Sequence, residues 1–469
     1  MMAGTLRSTV MVAAAFAVAG CVSLAPPHKL PAAPVAAEWP VVVGTPGDVP
    51  ADQVGELRWD QFHADARLRD LITRALTNNR SLRATALAVE SARAQLGLAR
   101  ADQWPTLVAS VSQAAQGSAG QVTRASAAEL GISAFEIDLF GRLRNERESA
   151  LEGVFGAEET LRSARISLVA EVATAYVTLL ADQQRLRLSD ETFASQQKSL
   201  DLTLRTFAVG TSSGLDVAQS RTSVETARAD MATYRTQMSR DLNALELLVG
   251  EPLDAAAFDT NGGQAGDALL AVSQAIGAPA KLSSQLLQRR PDVLAAERDL
   301  RAADINIGAA RASRFPSISL TTSAGRTSSE LSDLFKGAAH TWSFLPSISL
   351  PLFDGGAGKA RVRSAEVARD AALVAYEQSI QTAFQEVADA LAQRRDIDEL
   401  LAARQALVAA TERSYTLTQA RYRAGVDSSL ALLDAQRSLV AARQNLISAR
   451  LVEATNLITL YRVLGGGWQ

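Results

Sequence analysis

Proline placement constrains this chain more than any other feature. No proline lies between Pro105 and Pro252, none follows Pro351, and residues 359–424 lack glycine as well. With both strong helix breakers absent, the run at about 1.5 Å per residue predicts a helix near 100 Å long. Ordinary globular helices average about 11–12 residues. One this long is stabilised only in a coiled coil or a helical array. Composition agrees: 47% of residues are apolar but only 5% aromatic, a balance that favours long helices over a thick core.

The chain also repeats itself. Leu76 to Leu107 matches Leu287 to Ile318 at a fixed offset, with Gly97/Gly308, Arg100/Arg311, Trp104/Phe315 and Pro105/Pro316 in step. Further on, Glu171-Val172-Ala173 matches Glu386-Val387-Ala388, Phe207-Ala208-Val209-Gly210 matches Tyr422-Arg423-Ala424-Gly425, Leu215 matches Leu430, and Leu248-Val249-Gly250 matches Val463-Leu464-Gly465. Each half reads as a helix, two strands, a very long helix, a tight turn and a return helix. The long helices start at Gly141 and near Gly356, and turn at Gly210 and Gly425, where glycine supplies the positive φ of a helix C-terminus.

Strands are expected at 105–115, 127–139, 315–324 and 342–352, joined by loops at 116–126 and 325–340. From Trp342 to Leu350 the even positions are apolar and the odd ones mostly small or polar, the length and alternation of an outer-membrane barrel strand. Phe135, Ile137 and Leu139 are expected on one face of the second strand. The alternative is a hairpin of a soluble sandwich, but four strands cannot build a sandwich core. Trp104, Phe140, Phe315 and Phe353 lie at strand ends, where barrels carry aromatic girdles. In lipid every backbone polar group must be paired, and four strands cannot close a barrel. Two copies would give a barrel of eight filled by its own side chains; three would give twelve and a wet lumen. Ser317, Ser319, Ser347 and Ser349 suit a wet interior, so a homotrimer is expected, although strand arithmetic alone does not exclude other numbers.

At the N-terminus, Arg7 precedes a short apolar run, Val10 to Ala19, and then Val18-Ala19-Gly20-Cys21. The run is too short to span a bilayer but suits a secretory signal. Small residues before the sole cysteine resemble a lipobox; the alternative is a buried thiol. Acylation of Cys21 would anchor the protein in membrane lipid. Val22, where retained lipoproteins carry Asp, resembles a lipoprotein sent to the outer membrane. Pro26, Pro27, Pro31, Pro34 and Pro40 then read as an extended tether.

The charge balance, 47 basic against 50 acidic residues, gives no basic excess for a nucleic acid. The three histidines, His28, His63 and His340, supply no set for a metal or a nucleophile. No enzyme, cofactor or metal site is expected.

Arg289-Arg290-Pro291-Asp292-Val293, Ala296-Glu297, Ile307-Gly308-Ala309-Ala310-Arg311 and Phe315-Pro316-Ser317-Ile318 resemble the hallmark run of TolC-like outer-membrane efflux proteins, in the NodT-type lipoprotein branch. Arg421 to Val426, Leu433 to Arg437 and Leu464 to Trp468 resemble further family signatures, so the likeness covers nearly the whole mature chain. It implies a mainly α fold with a small β part: duplicated strand hairpins and long coiled-coil helices, trimerised into a 12-stranded β-barrel on an α-helical periplasmic tunnel. It also implies export of drugs or other small molecules, with a periplasmic membrane-fusion adaptor and an inner-membrane pump, most often of the resistance-nodulation-division class, as partners. The expected division is a signal at 1–20, a lipidated tether and equatorial segment at 21–65, a first repeat at 66–250, an equatorial connector at 251–285, and a second repeat at 286–469.

Two sites are expected. Leu430, Asp434 and Arg437, spaced i, i+4 and i+7, share a helix face. Under threefold symmetry they would form an apolar ring and a carboxylate ring favouring cations, as in the family's closed gate. Arg437 is a candidate partner for Asp434, and the first-half counterpart Gln219 is not acidic. The alternative is that Asp434 is a solvated helix residue. Gly210, Thr211, Arg421, Arg423, Gly425 and Val426 are expected at the adaptor-docking tip; the alternative is that they only shape the turns. Competing functions are the exit duct of a type I protein-secretion system and a periplasmic adaptor lipoprotein. An adaptor has one helical hairpin, whereas this chain has two.

Overall fold

A computed structural model describes residues 23–39, 49–50, 57–118, 120–254, 258, 276–277, 282–336 and 339–466. Cys21 and Trp468 lie outside these, as does most of the expected 251–285 connector. The first half contains α1 (Ala66–Asn78), α2 (Arg80–Ala101), β1 (Leu107–Ser118), β2 (Gln121–Glu136), α3 (Arg142–Ala208) and α4 (Gly214–Val249). The second contains α5 (Pro291–Ala312), β3 (Ser317–Ser328), β4 (Ala339–Ser349), α6 (Ala357–Arg423) and α7 (Ser429–Val463). The two long helices, α3 and α6, are each 67 residues, and the return helices 36 and 35.

Contacts divide the chain into two units. One comprises residues 1–33, 87–159 and 294–379. Its centre is an antiparallel sheet in the order β1-β2-β3-β4. The strands run further than expected at their hairpin ends and stop short of the expected bounds at 105, 139, 315 and 352. Ser118 pairs with Gln121, so the first loop shrinks from 116–126 to residues 119 and 120, with Gly120 at φ 79°, as a two-residue hairpin turn requires. The second loop shrinks from 325–340 to 329–338, with one 3-10 turn at Leu331–Asp333. Gln113 to Ala127 and Gly325 to Ser328 carry no apolar alternation; backbone pairing holds these extensions, with Ser126 buried and Arg326 donating to the Phe335 carbonyl at 3.5 Å. The expectation that Phe135, Ile137 and Leu139 share a strand face fails at Leu139. A bulge between Ile132 and Phe135, with Ala134 at φ 50°, shifts the register and brings Phe135 opposite Leu320. The strand ends at Glu136, and Leu139 lies in a tight turn bonded to Ile137.

Each long helix is entered through a positive-φ glycine, where the sequence places its start, and an aspartate cap that the sequence analysis did not use. Asp138 accepts from the Arg144 N–H at 2.8 Å beside Gly141, and Asp354 accepts from Gly356 and Gly358 at 2.9 and 2.6 Å. In the same unit the segment after Cys21 is strapped onto α5. Ser23 donates to Asn145 (3.0 Å), Arg311 to the Leu24 carbonyl (3.2 Å), and His28 Nδ1 meets Asp304 at 2.8 Å. A Cβ on Gly308 would lie 2.7 Å from Ala25 N, whereas its repeat partner Gly97 faces open space.

The other unit comprises residues 34–86, 160–293 and 380–469. Leu68, Leu71, Ile72 and Ala75 of α1 are buried at i, i+3, i+4 and i+7 against Val172, Ala173, Tyr176 and Val177 of α3 and Leu245 and Val249 of α4. Each such leucine or isoleucine contributes about 1.5–3 kcal/mol by burial. Phe62 stacks on Tyr461 at 4.3 Å. The repeat is chemical as well as topological. Asn79 donates to the Leu248 carbonyl at 2.8 Å, ending α4; its counterpart Arg290 donates to the Val463 carbonyl at 2.9 Å, ending α7. Arg290 also holds Asp292 (3.1 and 2.7 Å) and Glu386 (2.7 Å). Short pairings join Val49–Pro50 to Ile276–Gly277 and Glu38 to Ser283.

Candidate functional site

Two regions carry functional geometry. In the sheet, β1 and β4 are exposed along their whole lengths, on both faces. One face carries Leu107, Val111, Leu130, Ile132, Ile318, Leu320, Trp342, Phe344 and Ile348, with Val111 67% and Trp342 79% exposed. The other carries hydroxyls in register: Ser319 bonds Ser347 at 2.7 Å and Ser323 bonds Ser343 at 2.8 Å, while Ser317 donates to the Ser349 carbonyl at 3.4 Å. Gly131 and Gly325 share this hydroxyl face. A Cβ on Gly325 would lie 2.2 Å from the Ala128 carbonyl, and one on Gly131 2.8 Å from that of Thr322. Glycine there lets the strands coil closely around the concave side. An isolated sheet with one apolar face, one hydroxyl face and two unpaired edges satisfies neither water nor lipid. Trp104 and Phe353 stay exposed at the strand ends, whereas Phe140 and Phe315 stack on each other at 4.8 Å.

The second region is the pair of turns between long and return helices. Both are the same capping motif. Gly210 N–H donates to the Phe207 carbonyl and Thr211 N–H to Thr206; Gly425 donates to Tyr422 and Val426 to Arg421, all at 2.9–3.0 Å. The glycines sit at φ 78° and 73°. Ser213 and Ser428 cap the return helices, Ser213 in a capping box with Asp216. The halves differ in how the turns are braced. Thr206 and Ser212 share a 2.6 Å hydroxyl bond, whereas at the matching positions Arg421 grips Asp427 through two bonds of 2.8 and 2.9 Å. That guanidinium holds the Asp427 carboxyl below the usual carboxylate range. The turns are also tied together, because Ser429 Oγ donates to Asp216. This cross-tie was not anticipated; a serine just inside one helix and an aspartate in the first turn of another signal nothing until the fold juxtaposes them.

Arg423 and Val426 are exposed, and Arg423 has no ion-pair partner among the described residues. Val209 and Leu215 add exposed apolar surface beside these turns. Leu430, Asp434 and Arg437 do share one exposed face of α7, opposite buried Leu433, Gln436 and Leu439. The candidate partnership fails within the protomer: Asp434 and Arg437 form no ion pair among the described residues, and the site faces out unpaired.

The family model for outer membrane efflux protein matches residues 71–251 and 282–466. The antibiotic efflux pump outer membrane protein ArpC of Pseudomonas putida is 43% identical over 97% of this chain and 94% of its own. The toluene efflux pump outer membrane protein TtgC of Pseudomonas putida is similar to the same extent, 43% over 97% and 94%. The open state of the MtrE outer membrane channel of Neisseria gonorrhoeae superposes with a TM-score of 0.85 at 36% identity, covering 96% of this chain and 99% of that one.

Proposed function

This chain belongs to the outer membrane efflux protein family, whose members are passive channels that trimerise and work in tripartite pumps, and on that premise we propose how this one is anchored, docked and gated. It is an outer-membrane efflux channel reaching into the periplasm, with the fold of trimeric channels that have a helical tunnel and a β-barrel. The observation that carries the channel reading is the four-stranded sheet, apolar on one face and hydroxyl-lined on the other, with the outer edges of β1 and β4 unpaired among the described residues. In a trimer each β4 edge meets the β1 edge of the next copy. The hydroxyl face then lines the lumen and the apolar face meets lipid.

The cargo is small molecules, antibiotics and aromatic solvents among them, as the names of ArpC and TtgC state for those proteins. A wide lumen offers few specificity contacts, so selection rests with the pump. Cys21 carries the lipid anchor; the strap from Ser23 along α5, whose C-terminal end leads into β3, supports this reading. Gly210, Thr211, Arg421, Arg423, Gly425 and Val426 dock a periplasmic membrane-fusion adaptor. Behind it stands an inner-membrane pump of the resistance-nodulation-division class. Arg423, without an ion-pair partner among the described residues, and the exposed Val209 and Val426 on braced turns support that surface. Leu430 and Asp434 form the constriction, their exposure on the protomer being what a lumen-facing ring requires. Deleting the protein and profiling sensitivity to dyes, antibiotics and solvents, alongside planar-bilayer recording of the purified trimer, tests the reading. Unaltered sensitivity together with sealed bilayers would overturn it.

A further inference from the structure

The first hairpin holds an acid pair that channel function does not require. Asp182 of α3 and Asp241 of α4 are both buried, the Asp182 side chain 3% exposed. Arg185 donates to Asp182 Oδ1 at 2.5 Å and to Ser448 Oγ of α7 at 2.9 Å. Gln237 donates to Asp241 Oδ1 at 3.1 Å. Asp241 Oδ2 is buried and receives no donor among the described residues, and the carboxyl that bears on Asp241 is that of Asp182 across the α3–α4 contact. Two ionised carboxylates cannot bond each other, and a buried acceptor without a donor is costly. One proton between them removes both problems.

The second half of the chain supplies an internal comparison. The register that pairs Gly250 with Gly465 pairs Asp241 with Asn456 and Asp182 with Ile397. Asn456 is a neutral amide, and it donates to the Ala390 carbonyl at 2.9 Å and to Gln393 at 3.0 Å. The same helix–helix contact is therefore made with a fixed neutral group in one half and with a titratable pair in the other. We propose that a single proton held between Asp182 and Asp241 clasps α3 to α4, and that losing it loosens the first hairpin while leaving the second unaffected.

Asp182 and Arg185 of α3 and Gln237 of α4 act on Asp241; Tyr234 of α4 is in the field of Arg185, Asp230 and Asp182, and Arg185 is bonded in turn to the Ser448 hydroxyl of α7. Arg185 is bonded to Asp182 and offsets only part of the two negative charges. Burial, then contact with Asp182, pushes Asp241 up from 3.8 to about 6. The closed hairpin binds the proton more tightly than the open one. The clasp is therefore complete below about pH 4, weakens as pH rises toward the elevated value, and levels off above it. Between about pH 5 and about pH 7 the local opening equilibrium should increase about tenfold.

The test uses the full-length protein purified in detergent. Infrared titration should show a protonated-carboxyl band at about pH 5 that fades by about pH 7. Hydrogen exchange of the α4 amides around Asp241, corrected for the intrinsic pH dependence of exchange, should quicken about tenfold over that interval, while those around Asn456 should not. Asp241→Asn, which imports the second half's own residue, should abolish the band and keep these amides protected at both pH values; Asp182→Asn should likewise remove the pH dependence. Absence of the band in the unmodified protein, or equal corrected exchange at the two pH values, overturns the proposal even if the variants fail to assemble. So does an Asp241→Asn variant that keeps the full pH response.

Discussion

Replacing Arg290 with methionine should accelerate unfolding about a hundredfold at neutral pH. The Arg290 side chain is 8% exposed and makes four hydrogen bonds, three to carboxylates and one to the Val463 carbonyl. Hydrogen bonds to charged groups contribute about 1.5–3 kcal/mol each, and truncating one partner of a buried ion pair costs about 3–5 kcal/mol. Asp292 and Glu386 are 41% and 30% exposed, so water recovers part of their loss. The Val463 carbonyl loses its donor at a buried helix end. Methionine keeps the packing of the aliphatic stem. The net cost is therefore about 3 kcal/mol, or about a hundredfold in rate if the clamp is broken in the transition state. Lysine keeps the charge but not the fork, and should lose about half as much. Burial raises Asp292, but Arg290 outweighs it and holds the carboxyl below its ordinary 3.8. The pair's contribution is thus full above the ordinary carboxylate range and is lost as pH falls through the depressed value. The gap between the two proteins should narrow in acid. Circular dichroism during isothermal heating in detergent measures the rates. An Arg290→Met protein that unfolds within about twofold of the parent at neutral pH would refute the clamp.

Gly325→Val should push β2 from β3, because even a Cβ there meets the Ala128 carbonyl at 2.2 Å; the amount recovered in outer-membrane fractions should fall severalfold. Leu430→Ser and Asp434→Ala should each raise resting single-channel conductance, and unchanged traces would remove both residues from the gate. Gly425→Ala should cost about 1 kcal/mol at the positive-φ turn and weaken cysteine crosslinking of the tip to its adaptor. Cys21→Ser should abolish metabolic labelling with palmitate while the trimer still forms.

The long helices were legible because absence is a strong signal: a run without proline or glycine can hardly be anything else. The duplication was legible because glycines, prolines and helix ends recur in step. What sequence periodicity could not supply was strand length. Burial imposes alternation only where one face meets lipid, and Gln113 to Ala127 pairs in register without an apolar alternation. The bulge at Ala134 escaped for a related reason, since nothing about an alanine announces a positive φ. At the tip, the positions of Leu430, Asp434 and Arg437 on a shared face followed from helical spacing. The Ser429–Asp216 tie and the Asp182–Asp241 contact did not, because each joins residues from distant segments whose proximity only packing creates.

The two hairpins end differently, one in a turn of residues 119 and 120 and the other in a loop spanning 329–338. Closing three copies into a ring alternates these ends, so the outward mouth carries three short connections and three longer ones. The outer rim is therefore threefold, although the wall beneath it is built from six nearly equivalent hairpins. Variation in the longer loop can alter that outer profile while the strands that hold the wall together stay as they are.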